Sequence, residues 1–176
     1  MKIGRIAAAG LFLALLTSLL PVGAQLASAS ETLVACPDGT EATDFQPGLT
    51  FVPQPTTVHV DGTLGSCVST SNPAINNATF TINGSGTASC LTASFNSTMV
   101  VHWNSGANSV IRYNLTVNIK PAGETVFVSE GEVVSGQFAG AQVVRTTVEA
   151  TLDALKCLTV QGVMTASGPT ALVIVG

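Results

Sequence analysis

Alternation of apolar and polar residues is the dominant pattern of the chain after its first thirty positions. From Phe80 to Cys90, apolar residues and glycines occupy the even positions, and Thr, Ser and Asn occupy the odd ones. Such a period of two is typical of a β-strand with one buried face and one solvated face. The same alternation runs through 95–103 and 111–119, on either side of the turn cluster Asn104–Asn108, and it predicts a β-hairpin.

Six more strands are predicted between clusters of turn-forming residues, and no segment favours a helix. The strands are Leu49–Val52, Thr56–Leu64, Thr125–Val134, Gln142–Leu152, Gly162–Ala166 and Ala171–Val175. The separators are Pro53–Pro55, Ser71–Pro73, Pro121–Gly123, Gly136–Gly140 and Ser167–Pro169. About nine short strands with one wet face predict an all-β fold, an antiparallel β-sandwich of immunoglobulin-like architecture, with a closed β-barrel as the alternative.

Residues 1–29 have the features of a secretory signal peptide. Lys2 and Arg5 precede an apolar run over 6–20, and the small residues Ala27, Ser28 and Ala29 offer a cleavage site. The apolar run is shorter than the roughly 20 residues that span a membrane. We therefore expect a secreted protein whose mature part, residues 30–176, forms one domain.

The charge of the mature part limits its partners. Cleavage would leave four basic residues against ten acidic ones, a net charge of −6. The basic residues are scattered singly rather than clustered: Arg112, Lys120, Arg145 and Lys156. Nucleic acid is disfavoured as a partner because a phosphate backbone is bound by clustered Lys and Arg, and an anionic membrane is disfavoured for the same reason.

All four cysteines lie in the predicted mature part, which suggests two disulfides. The strands that end near Cys67 and Cys90 are consecutive, so we expect these two to pair and Cys36 to bond to Cys157. None has the spacing of a zinc site or a redox dithiol, and no metal or cofactor is expected. Leu33–Cys36 spells a lipobox, but it lies far from the apolar run, and lipidation would leave Cys157 without its expected partner.

An acidic segment near the mature N-terminus is the one candidate cation site. Asp38, Glu41 and Asp44 lack the alternate spacing and the sixth-position Gly of an EF-hand. We interpret them as solvated turn acids that hold no metal.

Two glutamates on a predicted strand are the best catalytic candidates. Glu130 and Glu132 share a face with α-carbons about 6.7 Å apart, a span at which carboxyl pairs act on glycosides. Paired acids on a wet face more often serve solubility or guard an edge. His59 with Asp61, and His102, are interpreted as surface residues. Since no catalytic signature motif occurs, the sequence indicates a protein that is not an enzyme.

Three strings carry a resemblance to other proteins: Trp103–Gly106, Ser135–Gly140, and Cys157–Thr159 followed by Gly162 and Val163. With the Thr, Gly and Val-rich strands, they resemble small exported β-rich proteins of unknown function typical of high-GC Gram-positive bacteria. The resemblance covers most of the mature part. It implies export and a β-rich fold, and it implies no site.

The leading functional hypothesis is a secreted, non-enzymatic domain that binds envelope polysaccharide or a protein partner through its sheet face or loops. Outward ladders of Thr and Asn would suit a polysaccharide, although β-propensity and solubility are the favoured explanation for them. Sequons at Asn77, Asn83, Asn96 and Asn114 arise by chance where Asn, Ser and Thr are this frequent. The alternative is a structural or surface-coat protein, and the third hypothesis is a glycosidase-like hydrolase using Glu130 and Glu132.

Overall fold

The alternating segments of the chain form long strands in the computed structural model, which describes residues 30–119, 124–150 and 154–176. The predicted signal peptide and the predicted turn at 121–123 lie outside the described residues. The described residues form ten strands and one helical turn, in the order β1 (Thr32–Cys36), β2 (Asp38–Leu49), β3 (Gln54–Gly65), β4 (Val68–Ser69), β5 (Ala78–Ala88), β6 (Ala93–Trp103), β7 (Asn108–Ile119), β8 (Glu124–Gly136), β9 (Gln142–Ala150), α1 (Ala154–Cys157) and β10 (Val163–Val175).

Eight of these strands close into an antiparallel β-barrel. The order around the barrel is β2-β3-β5-β6-β7-β8-β9-β10, and β10 pairs back to β2. The first half of β10 runs beside β2, with Thr43 opposite Ala166, and the second half runs beside β9, with Arg145 opposite Leu172. Strand β1 continues the line of β2 along β10, and the short β4 pairs with β1 outside the barrel.

The all-β prediction is confirmed, and the closed barrel forms in place of the β-sandwich. A sandwich leaves edge strands, whereas β2 pairs with β3 on one side and β10 on the other, which removes the edge. Glycine makes room in the wall for a core side chain. A Cβ at Gly62 would lie 2.2 Å from Cζ of Phe80 on the next strand, so only glycine admits the buried ring there.

Two strand predictions near β2 and β10 are corrected. Of the segment predicted as Leu49–Val52, only Leu49 belongs to a strand, as the last residue of β2, and 50–52 lie in the loop that follows. Strand β2 begins at Asp38, inside the expected acidic loop. The predicted turn Ser167–Pro169 lies inside β10. Pro169 lies opposite Thr40 at the end of the ladder with β2, one residue before the ladder with β9 starts at Thr170.

One end of the barrel, which we call the closed end, is filled by side chains. It is covered by the connection 66–77 and the turns 104–107 and 137–141. Trp103 is buried as predicted and packs edge-on against Phe138 at 5.7 Å between ring centroids. Its Nε1 donates to Oγ of Ser109 at 2.9 Å, and this hydroxyl donates to the carbonyl of Gln137. The indole is thus both packed and satisfied, which fixes this end.

Both disulfides are present, but their pairing differs from the prediction. Cys36 bonds to Cys67 and Cys90 bonds to Cys157. The predicted Cys67–Cys90 bond is wrong because these residues lie at opposite ends of the long strands β3 and β5. The first bridge joins β1 to the closed end. The second joins the β5–β6 loop to α1 at the other end.

Candidate functional site

A buried ion pair crosses the barrel interior. On β2, the side chains of Glu41, Thr43 and Phe45 are buried and point inward, and the residues between them are exposed. On β9, Arg145 points inward between Val143 and Thr147. Nη1 of Arg145 donates to Oε2 of Glu41, and both side chains are almost fully buried. We call this pair and its hydroxyl neighbours the lumen site.

The hydroxyl neighbours take up part of the hydrogen-bonding capacity of Arg145. Its Nη1 also donates to Oγ1 of Thr147 at 3.0 Å, and its Nη2 reaches Oγ of Ser129 at 3.5 Å. Oγ1 of Thr147 is in turn 3.0 Å from Oγ1 of Thr170 on β10. Nε of Arg145 is buried with no hydrogen-bond partner. The guanidinium is therefore held by three strands and keeps an unused donor.

Tyr113 closes one side of the lumen site. The Cζ atom of Arg145 lies 5.8 Å from the centroid of its ring, within cation–π range. Its hydroxyl donates to the sulfur of Met99 at 3.3 Å. Burial raises the pKa of Tyr113 far above its ordinary value, while the charge of Arg145 acts in the opposite direction. The phenol is therefore a neutral wall of the site and no acid–base group near neutral pH.

A small cavity adjoins the lumen site. Its walls are mostly apolar, and the centres of water molecules can occupy about 30 Å³ of it. Arg145, Glu41, Thr43 and Ser97 supply its polar lining. The remaining lining residues are Phe45, Val58, Val60, Ile82, Phe95 and Phe127. An apolar pocket with a few convergent polar groups is the usual form of a small-molecule site.

The acidic segment does not form a cation site. Asp38 and Asp44 are exposed on β2, whereas Glu41 points into the barrel, so the three carboxylates lie on different faces. The interpretation of Glu41 as a solvated turn acid is wrong because it is the buried partner of Arg145. Among the described residues, no three His, Cys, Asp or Glu side chains are grouped as metal ligands.

The other predicted surface residues lie on the outer wall. Glu130 and Glu132 are exposed on β8, and Glu132 is opposite Arg112 of β7. Nδ1 of His59 is 2.8 Å from Oδ1 of Asn83, and its Nε2 is 3.3 Å from Asp61. The Asn83 hydrogen bond is the main cause that raises the pKa of His59, with a smaller contribution from the Asp61 carboxylate.

His102 is also exposed, and its Nδ1 lies 2.8 Å from Oδ1 of Asn108 across the β6–β7 hairpin. The structure thus brings neither histidine to the glutamates of β8.

An open groove lies on the outer wall over β2, β3 and β5. The space above these strands is about 570 Å³. Hydroxyls and one carboxylate line its sides: Thr40, Asp61, Thr63, Thr79 and Thr81. The predicted outward ladder of polar residues therefore includes a concave stretch, which we call the threonine groove.

The end of the barrel opposite the closed end exposes a group of large apolar side chains. Seven of them belong to its loops and the adjoining strand start, and we call them the apolar rim: Phe51, Val52, Leu91, Leu155, Leu158, Val160 and Met164. Val160 is fully exposed, and Val52 has 71% of its surface exposed. Soluble proteins seldom expose large contiguous apolar patches unless the patch binds something.

Covalent and backbone contacts hold the loops of the apolar rim together. The Cys90–Cys157 disulfide joins the loop of Leu91 to the helical turn of Leu155. The amide of Cys90 donates to the carbonyl of Thr50 at 2.7 Å, which ties in the loop of Phe51. The three loops are therefore linked to one another at the end of the barrel where all seven exposed side chains lie. Lys156 is the only charged residue of the described loops 50–53, 89–92 and 154–162.

The fold and the site define a closed eight-stranded antiparallel barrel with a buried ion pair in its interior and an apolar rim at one end. No helix among the described residues has the length and hydropathy needed to cross a bilayer. Comparison with models of known families, with curated proteins and with solved structures finds no match.

Proposed function

We propose that the protein is a non-enzymatic extracellular domain that binds another protein through the apolar rim. The observation that carries this proposal is the grouping of seven exposed apolar side chains on three linked loops. Burial of such side chains contributes roughly 25 cal/mol per Å² of apolar surface removed from water. The rim therefore offers the apolar core of an interface, with the polar outer wall as its surroundings.

The chemistry of the rim favours a protein over the other partners. Polybasic clusters draw proteins to anionic lipid, and the rim has Lys156 alone on an acidic chain. The rim side chains are aliphatic apart from Phe51, so they provide few aromatic faces and almost no hydrogen-bonding groups for a sugar. A partner with an apolar patch and an uncharged border fits both features.

Location outside the cell is supported by the cysteines and by the N-terminal sequence. All four cysteines are oxidised in pairs, which is typical of proteins that mature in an oxidising compartment. Residues 1–29 have the charge and apolar pattern of a signal peptide.

A second candidate function is favoured by the threonine groove. Hydroxyls from three strands and the carboxylate of Asp61 line a space of about 570 Å³. This lining could hydrogen-bond a neutral envelope polysaccharide along the wall. Replacement of Thr63 and Thr79 by Val would remove hydroxyls while keeping shape and strand propensity, and it should abolish retention by an envelope polysaccharide fraction if this function holds.

The rim proposal is tested with matched variants. Val52→Ser and Leu158→Ser remove apolar surface from the rim, and Val68→Ser removes it from β4 at the closed end, where Val68 is also 71% exposed. The immobilised mature protein is incubated with solubilised surface proteins of the producing cells. A partner retained by the wild type is then purified, and its affinity is measured by calorimetry.

We expect the partner to bind the wild type and Val68→Ser equally, and the double rim variant at least tenfold more weakly. Equal binding by all three proteins would overturn the proposal. Self-association in sedimentation equilibrium, lost in the rim variant alone, would replace it with the surface-coat alternative. Loss of a glycosidase activity on conversion of Glu130 and Glu132 to Gln would replace it with the hydrolase.

A further inference from the structure

The lumen site contains a hydrogen-bonding group that the fold does not use. Nε of Arg145 has no partner, although the residue is only 5% exposed. Buried polar atoms in folded proteins almost always have a hydrogen-bond partner, so each exception requires a reason. A buried ion pair is also a costly feature in a barrel that apolar side chains could fill.

The unused capacity lies along one edge of the guanidinium. The two hydrogens of Nη1 are taken by Glu41 and Thr147. Nε and Nη2 share the adjacent edge of the planar fork, and Nη2 has only the 3.5 Å contact to Ser129. A fork edge of this kind recognises an oxygen that offers two lone pairs.

The charge of the site is balanced before any ligand arrives. Glu41 is the direct partner of Arg145, and both are buried. An anionic ligand would add an uncompensated charge to this interior, at a high desolvation cost. The pair therefore selects for a neutral ligand with an oxygen acceptor.

The cavity beside the pair sets the size and the apolar character of the ligand. Three phenylalanine rings and three aliphatic side chains form its walls: Phe45, Phe95, Phe127, Val58, Val60 and Ile82. Water centres can occupy about 30 Å³ of the space. If that space is taken as a sphere and its radius is increased by the radius of a water molecule, the cavity has a volume of roughly 150 Å³. A cavity of this size admits benzene.

We propose that the barrel interior is a binding site for a small neutral molecule that has an apolar, preferably aromatic, body and one carbonyl-type oxygen. The body lies against the phenylalanine walls, and the oxygen accepts from the Nε and Nη2 edge of Arg145. This site is separate from the apolar rim and does not depend on the function proposed for it.

The test uses three probes of similar size and different polarity: acetophenone, ethylbenzene and benzoate. Binding to the mature protein is followed by NMR through the methyl signals of Val58, Val60 and Ile82. Acetophenone should shift these signals saturably and bind about tenfold or more tightly than ethylbenzene. A hydrogen bond to a charged donor contributes a free energy that corresponds to at least this change in affinity. Benzoate should bind more weakly than either.

Two variants locate the site and the donor. Ser97→Ile fills the cavity without touching the ion pair, and it should abolish the shifts caused by both neutral probes. Glu41→Met combined with Arg145→Met removes both charges together, so it should fold, and acetophenone should lose its advantage over ethylbenzene.

Shifts that persist in Ser97→Ile would place the probes outside the cavity and overturn the proposal. Equal affinity of the wild type for acetophenone and ethylbenzene, or tighter binding of benzoate, would overturn the assigned ligand class. Absence of any saturable methyl shift would overturn the site itself.

Discussion

Separation of the buried ion pair is the perturbation whose consequence the structure defines best. Arg145→Met leaves the Glu41 carboxylate inside the barrel without its guanidinium, and Glu41→Met leaves the guanidinium without its carboxylate. Breaking a buried pair in this way costs about 3 to 5 kcal/mol, because one charge stays desolvated and uncompensated. We expect a loss in that range from each single variant at neutral pH.

The double variant Glu41→Met/Arg145→Met separates this cost from the value of the pair. Since no charge remains to be desolvated, its stability should lie within about 1 kcal/mol of the wild type, or above it. The two single losses, together about 6 kcal/mol or more, then fail to add, with an interaction energy of about 5 kcal/mol or more.

The assay is urea unfolding with intact disulfides, followed by the fluorescence of Trp103, the single tryptophan, which is buried at the closed end. Arg112 and Glu132 provide a matched control, since they face each other on β7 and β8 of the outer wall and both are exposed. Their Met variants should cost between 0 and about 1 kcal/mol. A similarly small loss for Arg145→Met, or additive losses in the double variant, would refute the reasoning.

Two further predictions concern titration. Tyr113 is the single tyrosine, and its raised pKa means that tyrosinate absorbance should appear only with unfolding. Because the unfolded state loses this proton first, stability above pH ~10 should fall about 1.4 kcal/mol per pH unit more steeply in wild type than in Tyr113→Phe. Asn83→Ala should lower the pKa of His59 in an NMR titration, since the lost hydrogen bond favours the charged ring. Reversible ionisation of Tyr113 in the folded state, or an unchanged pKa of His59 in Asn83→Ala, would contradict these assignments.

Most of the strands could be predicted from alternation alone. The inward faces of β5 and β6 and the first part of β7 carry the predicted apolar residues, from Phe80 to Tyr113. The predicted β6–β7 hairpin is confirmed. Its turn contains Gly106, whose positive φ of 86° suits glycine. These features depend on neighbours in sequence, which is why local pattern is sufficient for them.

Closure of the sheet could not be predicted in the same way. A sandwich and a barrel share the alternation of one buried and one wet face, and they differ only in whether β2 meets β10. That contact joins residues far apart in sequence. The disulfide prediction failed for the same reason, since it assumed that cysteines close to consecutive strands must lie at the same end.

The lumen site could not be recognised because Glu41 was interpreted from its side-chain type, as a turn acid, and not from its position in the inward–outward alternation of a strand. Glu41, Thr43 and Phe45 alternate with Thr40, Ala42 and Asp44, which is a strand signal hidden by turn-forming residues. On β9 the outward Val144 and the inward Val143 gave no clear face for Arg145. The apolar rim also has no periodic signal, because it is assembled from three loops.

The seam between β2 and β10 tests the central claim most directly, since it closes the barrel around Glu41 and Arg145 and brings the rim loops together. Cross-strand NOE contacts and amide exchange in the purified protein report on it. We predict contacts between the backbone protons of Thr43 and Ala166 and between those of Asp44 and Thr165, with slowly exchanging amides along both strands. Rapid exchange on β2 and β10 without cross-strand contacts would show two open edges and would contradict the closed barrel.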